Sequence, residues 1–93
     1  MQCRRLSFSR HAVTRMFERG LSVSDVREVI AHGETIADYP DDRPYPSTLL
    51  LGFTNDRPVH VVVAQNPTDG ACFVITAYEP DPAVWTDDFR RRR

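Results

Sequence analysis

The run Val59-His60-Val61-Val62-Val63-Ala64-Gln65 and the run Ala71-Cys72-Phe73-Val74-Ile75-Thr76-Ala77-Tyr78 decide the fold class. β-Branched and aromatic residues dominate both, and such residues fit a pleated, half-buried surface. The short turn Asn66 to Gly70 between them lets the two strands pair antiparallel. Period two places Val59, Val61 and Val63 on one face and His60, Val62 and Ala64 on the other. The same counting sets Phe73, Ile75 and Ala77 against Cys72, Val74, Thr76 and Tyr78. The Val/Phe/Ile face is read as the core face beneath the helices. His60, Thr76 and Tyr78 then gather on the less covered face or at its edge.

Working outward, Thr48 to Thr54 reads as a strand, closed by the turn Asn55-Asp56-Arg57-Pro58. Glu34 to Tyr39 reads as a further short strand. Pro40, Pro44 and Pro46 make the segment between them an irregular loop. Towards the N-terminus the apolar period lengthens from 2 to 3.6. Ser9 caps a helix over Arg10 to Arg19, and Gly20 ends it. Ser22 and Asp25 have capping-box spacing, with Leu21 and Val26 at the hydrophobic-staple positions. Val23, Val26, Val29 and Ile30 form the apolar face of this second helix, which Gly33 ends. Residues 1–8 are read as an extended lead-in. Pro80 and Pro82 stop the last strand, Trp85 folds back onto the body, and Arg90 to Arg93 form a frayed, disordered basic tail. The expectation is one α+β domain over residues 1–93, a two-helix N-terminal hairpin packed on a three- to four-stranded antiparallel sheet.

Composition narrows the function classes. The chain has 93 residues, 41% of them hydrophobic and 27% charged, as in a globular domain. No apolar run reaches the ~18 residues of a membrane span, and no apolar h-region follows Arg4 and Arg5. Cytoplasm is therefore the expected compartment and a membrane is not an expected partner. In a reducing compartment Cys3 and Cys72 are expected to remain unpaired. No Cys-x-x-Cys or His-x-x-x-His spacing occurs, so no metal and no cofactor is expected. Net charge is −1, unevenly spread: +4 over residues 1–20, −9 over 21–89 and +4 over 90–93. A basic N-terminal helix on an acidic body attracts a polyanion locally, or an acidic protein.

Chemistry concentrates in a few side chains. His11, Arg15 and Arg19 follow at i, i+4 and i+8, in line along the first helix, with Val13, Met16 and Phe17 on its other side. An imidazole and two guanidiniums in line suit a phosphate-bearing ligand. Arg15 also has an ordinary surface role within reach, a salt bridge to Glu18. The helix N-terminus favours a neutral His11, which can act as a base. Metal-independent RNA cleavage needs a base for the 2′-hydroxyl, an acid for the leaving 5′-oxygen and cations at the phosphorus. His11, His60, Arg15 and Tyr78 are the candidate catalytic groups. Arg15, Arg19 and Thr76 are the candidate phosphate-binding groups. The competing reading makes His60 a buried, hydrogen-bonded core histidine and Tyr78 an ordinary sheet aromatic.

The pattern Ser-x-His-Ala-x-x-Arg-Met-x-Glu-Arg-Gly-Leu-Ser runs from Ser9 to Ser22. Pro58-Val59-His60-Val61-Val62 and Ile75-Thr76-Ala77-Tyr78-Glu79-Pro80-Asp81, followed by Trp85, complete the set. Together, over residues 8 to 86, they resemble a family of small prokaryotic proteins known as a domain of unknown function. That family is similar to toxins of type II toxin–antitoxin pairs, the RelE-like and MqsR-like mRNA interferases of the barnase–colicin–RelE group. The resemblance implies an RNase-like α+β domain and a metal-independent endoribonuclease whose substrate is RNA, free or ribosome-associated. It also implies a cognate antitoxin of zinc-finger or helix-turn-helix type. His11, Arg15, Arg19, His60, Thr76 and Tyr78 fall on its motif positions. The chain departs from typical toxins in carrying no lysine and a slightly negative net charge. The alternative function is a non-catalytic protein-binding module with structural histidines.

Overall fold

The structure is a computed structural model describing residues 1–93. Seven elements follow in order: β1 (Arg5–Phe8), α1 (Arg10–Glu18), α2 (Val23–His32), β2 (Glu34–Tyr39), β3 (Ser47–Thr54), β4 (Arg57–Gln65) and β5 (Ala71–Tyr78). The strands form one five-stranded sheet in the order β1-β5-β4-β3-β2. β2 to β5 are an antiparallel meander, and β1 joins β5 in parallel, Arg5 opposite Ala71 and Phe8 opposite Val74.

This corrects the expected architecture. The protein is a mixed sheet bearing two short helices, not a helical hairpin on an all-antiparallel sheet of three or four strands. The expected lead-in contains a strand, because the edge of β5 has unpaired backbone groups that β1 satisfies. Leu6 and Phe8 alternate towards the core while Arg5 and Ser7 face solvent. The helices do not form a mutually packed pair. Each lies on the sheet, α1 on β5 and α2 on β3 and β4. Gly20, at φ +68°, turns the chain between them.

Local chemistry explains both helices. Ser9 accepts a hydrogen bond from the Ala12 amide and starts α1. Ser22 and Asp25 exchange hydrogen bonds of 2.9 and 3.0 Å, the capping box that starts α2. Nine residues are too few for a helix to stand alone, so α1 depends on its buried side chains. These are Ala12 and Met16, whereas Val13 and Phe17, expected on the same side, are exposed. α1 lies on β5 with Ala12 and Met16 buried, and Phe17 is turned outward to 85% exposure.

One core lies between the helices and the sheet. It joins Ala12, Met16, Leu21, Val26, Val29 and Ile30 to Leu50, Val59, Val61, Val63, Cys72, Val74 and Ala77. Val59, Val61 and Val63 occupy the expected face, but β5 does not follow the expected alternation. Val62 pairs Thr76 and Val63 pairs Val74, leaving Ile75 as the extra residue of a β-bulge. Cys72 and Val74 therefore point into the core and Phe73 and Ile75 point away from it. α2 sits close on the sheet because β3 offers Gly52 beneath Val29.

The cysteines are also corrected. Residues 1–4 run beside the end of β5, with the Arg4 amide bonded to the Gly70 carbonyl. Cys3 and Cys72 form a disulfide, their Cα atoms 5.5 Å apart. No helix is long and apolar enough to cross a membrane.

Candidate functional site

β4 and β5 carry the candidate site on the sheet face turned away from the helices. His60 lies opposite Tyr78 and Val62 opposite Thr76. Residues 80–93 fold across this end of the sheet. The Trp85 ring meets the His60 ring edge-on with centroids 4.5 Å apart, and Trp85 is buried there. The basic tail, expected to be frayed, lies against the body. Arg90 makes a two-pronged ion pair with Glu34, its closest contact 2.7 Å, and Arg93 reaches Asp87 and the Pro82 carbonyl.

His60 is fully buried and both of its ring nitrogens have partners. Nε2 lies 2.8 Å from the Phe89 carbonyl oxygen. A carbonyl only accepts, so Nε2 carries the proton and donates. Burial holds the His60 pKa below its ordinary value, with the Phe89 contact opposing, so the ring is neutral. Nδ1 is then a bare acceptor, and the Tyr78 hydroxyl, 3.3 Å away, donates to it. Burial raises the Tyr78 pKa and the nearby Tyr39 adds to the rise, while Arg92 and Arg19 oppose it. The result is a directed chain of hydrogen bonds from a half-buried phenol to a buried imidazole to a backbone carbonyl.

Arg19 supplies the first cation. β1 covers β5 only as far as Val74, so the edge from Ile75 to Tyr78 has no strand beside it. Arg19, capping the end of α1, reaches that edge and donates to Thr76 Oγ1 at 3.2 Å and to the Ala77 carbonyl at 2.9 Å. Arg92 supplies the second, lying over the Trp85 ring at 5.2 Å. The sequence reading did not single it out, because a four-arginine run says nothing of which member folds back onto an aromatic ring.

Four of the six expected residues thus form one cluster: Arg19, Thr76, Tyr78 and His60. His11 and Arg15 stay apart from it. Both are exposed on α1, and His11 lies eight residues, about 12 Å of helix, before Arg19. Arg15 is paired with Glu18 at 3.3 Å. No group of three His, Cys, Asp or Glu side chains converges anywhere as a metal site.

A second feature shares this face. The rings of Tyr45 and Phe73 stack at 14° with centroids 5.6 Å apart. With Arg43, Pro44, Ala64 and Ile75 they line a groove of about 430 Å³. Residues 8–79 match the family described as a domain of unknown function (DUF4258). No curated protein and no solved structure matches the chain significantly.

Proposed function

The chain belongs to the DUF4258 family, a domain of unknown function, and from that premise we propose that it is an RNA-directed endoribonuclease, the toxin of a type II toxin–antitoxin pair. One observation carries the reading. A phenol hydrogen-bonded to a neutral buried imidazole opens beside two arginines, on a sheet edge free of any other strand.

Each group then has a role. Arg19, with Arg92 near it, binds the scissile phosphate and offsets the charge that builds on it. The 2′-hydroxyl gives its proton to Tyr78 Oη as Tyr78 passes its own to His60 Nδ1. The 2′-oxygen attacks phosphorus, the bond to the 5′-oxygen breaks, and water protonates the leaving oxygen. Thr76 holds Arg19 in place, while His11 and Arg15 continue the cationic strip along α1 towards neighbouring phosphates. In the cytoplasm, the compartment this role requires, Cys3 and Cys72 would be held as thiols.

The partner in this reading is a small antitoxin of zinc-finger or helix-turn-helix type. Support for a protein partner comes from Val13 and Phe17, one turn apart on α1 and both exposed. The same pair, with the burial of His60, favours the second reading, a non-catalytic protein-binding module.

The test is inducible expression in a bacterial host, with growth and cellular RNA 5′ ends followed for the wild type, Tyr78→Phe and Arg19→Ala. Wild type should arrest growth and create new 5′ ends, and the folded variants should do neither. Intact RNA and normal growth at good wild-type expression would leave the protein-binding reading in its place.

A further inference from the structure

Phe73 and Tyr78 are five residues apart on β5, a spacing that places them on opposite faces of a regular strand. The bulge at Ile75 reverses the alternation between them. Phe73 then lies opposite Ala64 and Tyr78 opposite His60, on one face. His60 and Ala64 are four residues apart on β4, so the two positions are about 13 Å apart along the sheet.

At the Phe73 end the surface is apolar and aromatic rather than charged. Phe73 and Ile75 are exposed on the strand, and Tyr45 comes from the proline-rich loop to stack on Phe73. Arg43 lines the same groove. No acid lines the groove, and Asp42, next to Arg43 in the chain, accepts a hydrogen bond from the Ser47 hydroxyl. Partly exposed planar rings with a guanidinium beside them are what a nucleobase stacks on. A protein segment would be served equally by aliphatic side chains. The groove lies on the same sheet face as Tyr78, two ladder pairs of that face along the strands.

We propose that the Tyr45–Phe73 pair is a base-stacking subsite for single-stranded RNA, holding a nucleobase near the phosphate bound at Arg19 and Tyr78. This rests on the endoribonuclease reading and deepens it. Selection there is by the π-face of a base, with Arg43 contacting the backbone or the base plane. Affinity at this subsite is accordingly tolerant of sequence.

The experiment is fluorescence anisotropy on the full chain with a labelled 2′-O-methyl RNA of about eight nucleotides, a length within the usual range for one small domain. Such an oligomer lacks the attacking hydroxyl and stays intact. A second oligomer of equal length carries abasic positions throughout. Phe73→Leu keeps an apolar side chain without a ring, and Tyr45→Ala removes the second ring; Trp85 emission verifies that each variant is folded. Each variant should bind the RNA between about five-fold and a hundred-fold more weakly than wild type. The slope of affinity against salt should not change, because no phosphate contact is lost. Arg19→Ala should instead lower that slope, and the abasic oligomer should bind wild type and Phe73→Leu alike. Equal RNA affinity of Phe73→Leu, Tyr45→Ala and wild type would overturn the subsite and leave the groove to a protein partner. No RNA binding by wild type at any salt would overturn the endoribonuclease reading together with it.

Discussion

Reducing the Cys3–Cys72 disulfide is expected to remove about 4 kcal/mol of stability. The bond spans a sequence separation of 69 residues. Opening a loop of that length returns to the denatured chain an entropy worth about 4.4 kcal/mol at 25 °C in the chain-entropy treatment. A domain of this size has a total stability of only about 5–14 kcal/mol. The reduced protein therefore keeps about 10 kcal/mol at the upper end of that range and almost none at the lower end. The assay is urea unfolding followed by emission of Trp85, the only tryptophan, with and without reductant. With a slope of about 1–3 kcal/mol per molar, the midpoint should fall by about 1.5–4 M. Intact mass reports whether the bond is present at the start, and Cys3→Ser, which spares the buried Cys72, should reproduce the reduced curve. A midpoint that stays within about 0.5 M after verified reduction would refute the reasoning. It would mean that the denatured chain is already compact enough for the cross-link to constrain nothing.

Three further outcomes follow from the structure. Because burial lowers the His60 pKa, the folded state resists protonation; stability is fully present above the ordinary value of 6.5 and is lost as pH falls from there towards the folded pKa. Urea midpoints should decline from pH 7 to pH 5, a window above that of Asp25, Glu34 and Asp88, whose pKa values are also lowered, and His60→Gln should flatten the decline. Gly52→Ala should destabilise by about 1–3 kcal/mol in chemical denaturation, because the new Cβ lies 2.8 Å from Val29 Cγ2 and lifts α2 off β3. Ser22→Ala should cost about 1 kcal/mol, read in the same way, through loss of the hydrogen bond to the Asp25 amide.

The legible parts of this fold were the local ones. Ser22 and Asp25 act over one helical turn, so their spacing alone reveals the start of α2. The turn after Thr54 and the valine alternation of β4 are likewise written in neighbouring residues. β1 was illegible because its reason to exist lies 66 positions away, in the unpaired edge of β5. The disulfide was illegible for the same reason, since proximity of Cys3 and Cys72 follows from that pairing. A bulge of one residue at Ile75 exchanged the two faces of half a strand, and no local pattern announces it. Within the candidate site, Arg19, Thr76, Tyr78 and His60 were named from sequence and meet in space. Arg92 and the Tyr45–Phe73 pair were not assigned, because each depends on a loop or tail closing onto the sheet.

The pairing of β1 with β5 also governs the order in which the chain can finish folding. α1, α2 and the β2–β3–β4 meander can each begin from contacts close in sequence, but the parallel edge cannot close until residue 71 and its neighbours have been synthesised. Contacts of such long separation are formed late and slowly. On the ribosome the N-terminal strand therefore waits, with Leu6 and Phe8 uncovered, through the emergence of nearly the whole domain. During that interval it is a strand without a sheet, open to any other edge, and co-translational capture by a partner would have to act before the last strand arrives.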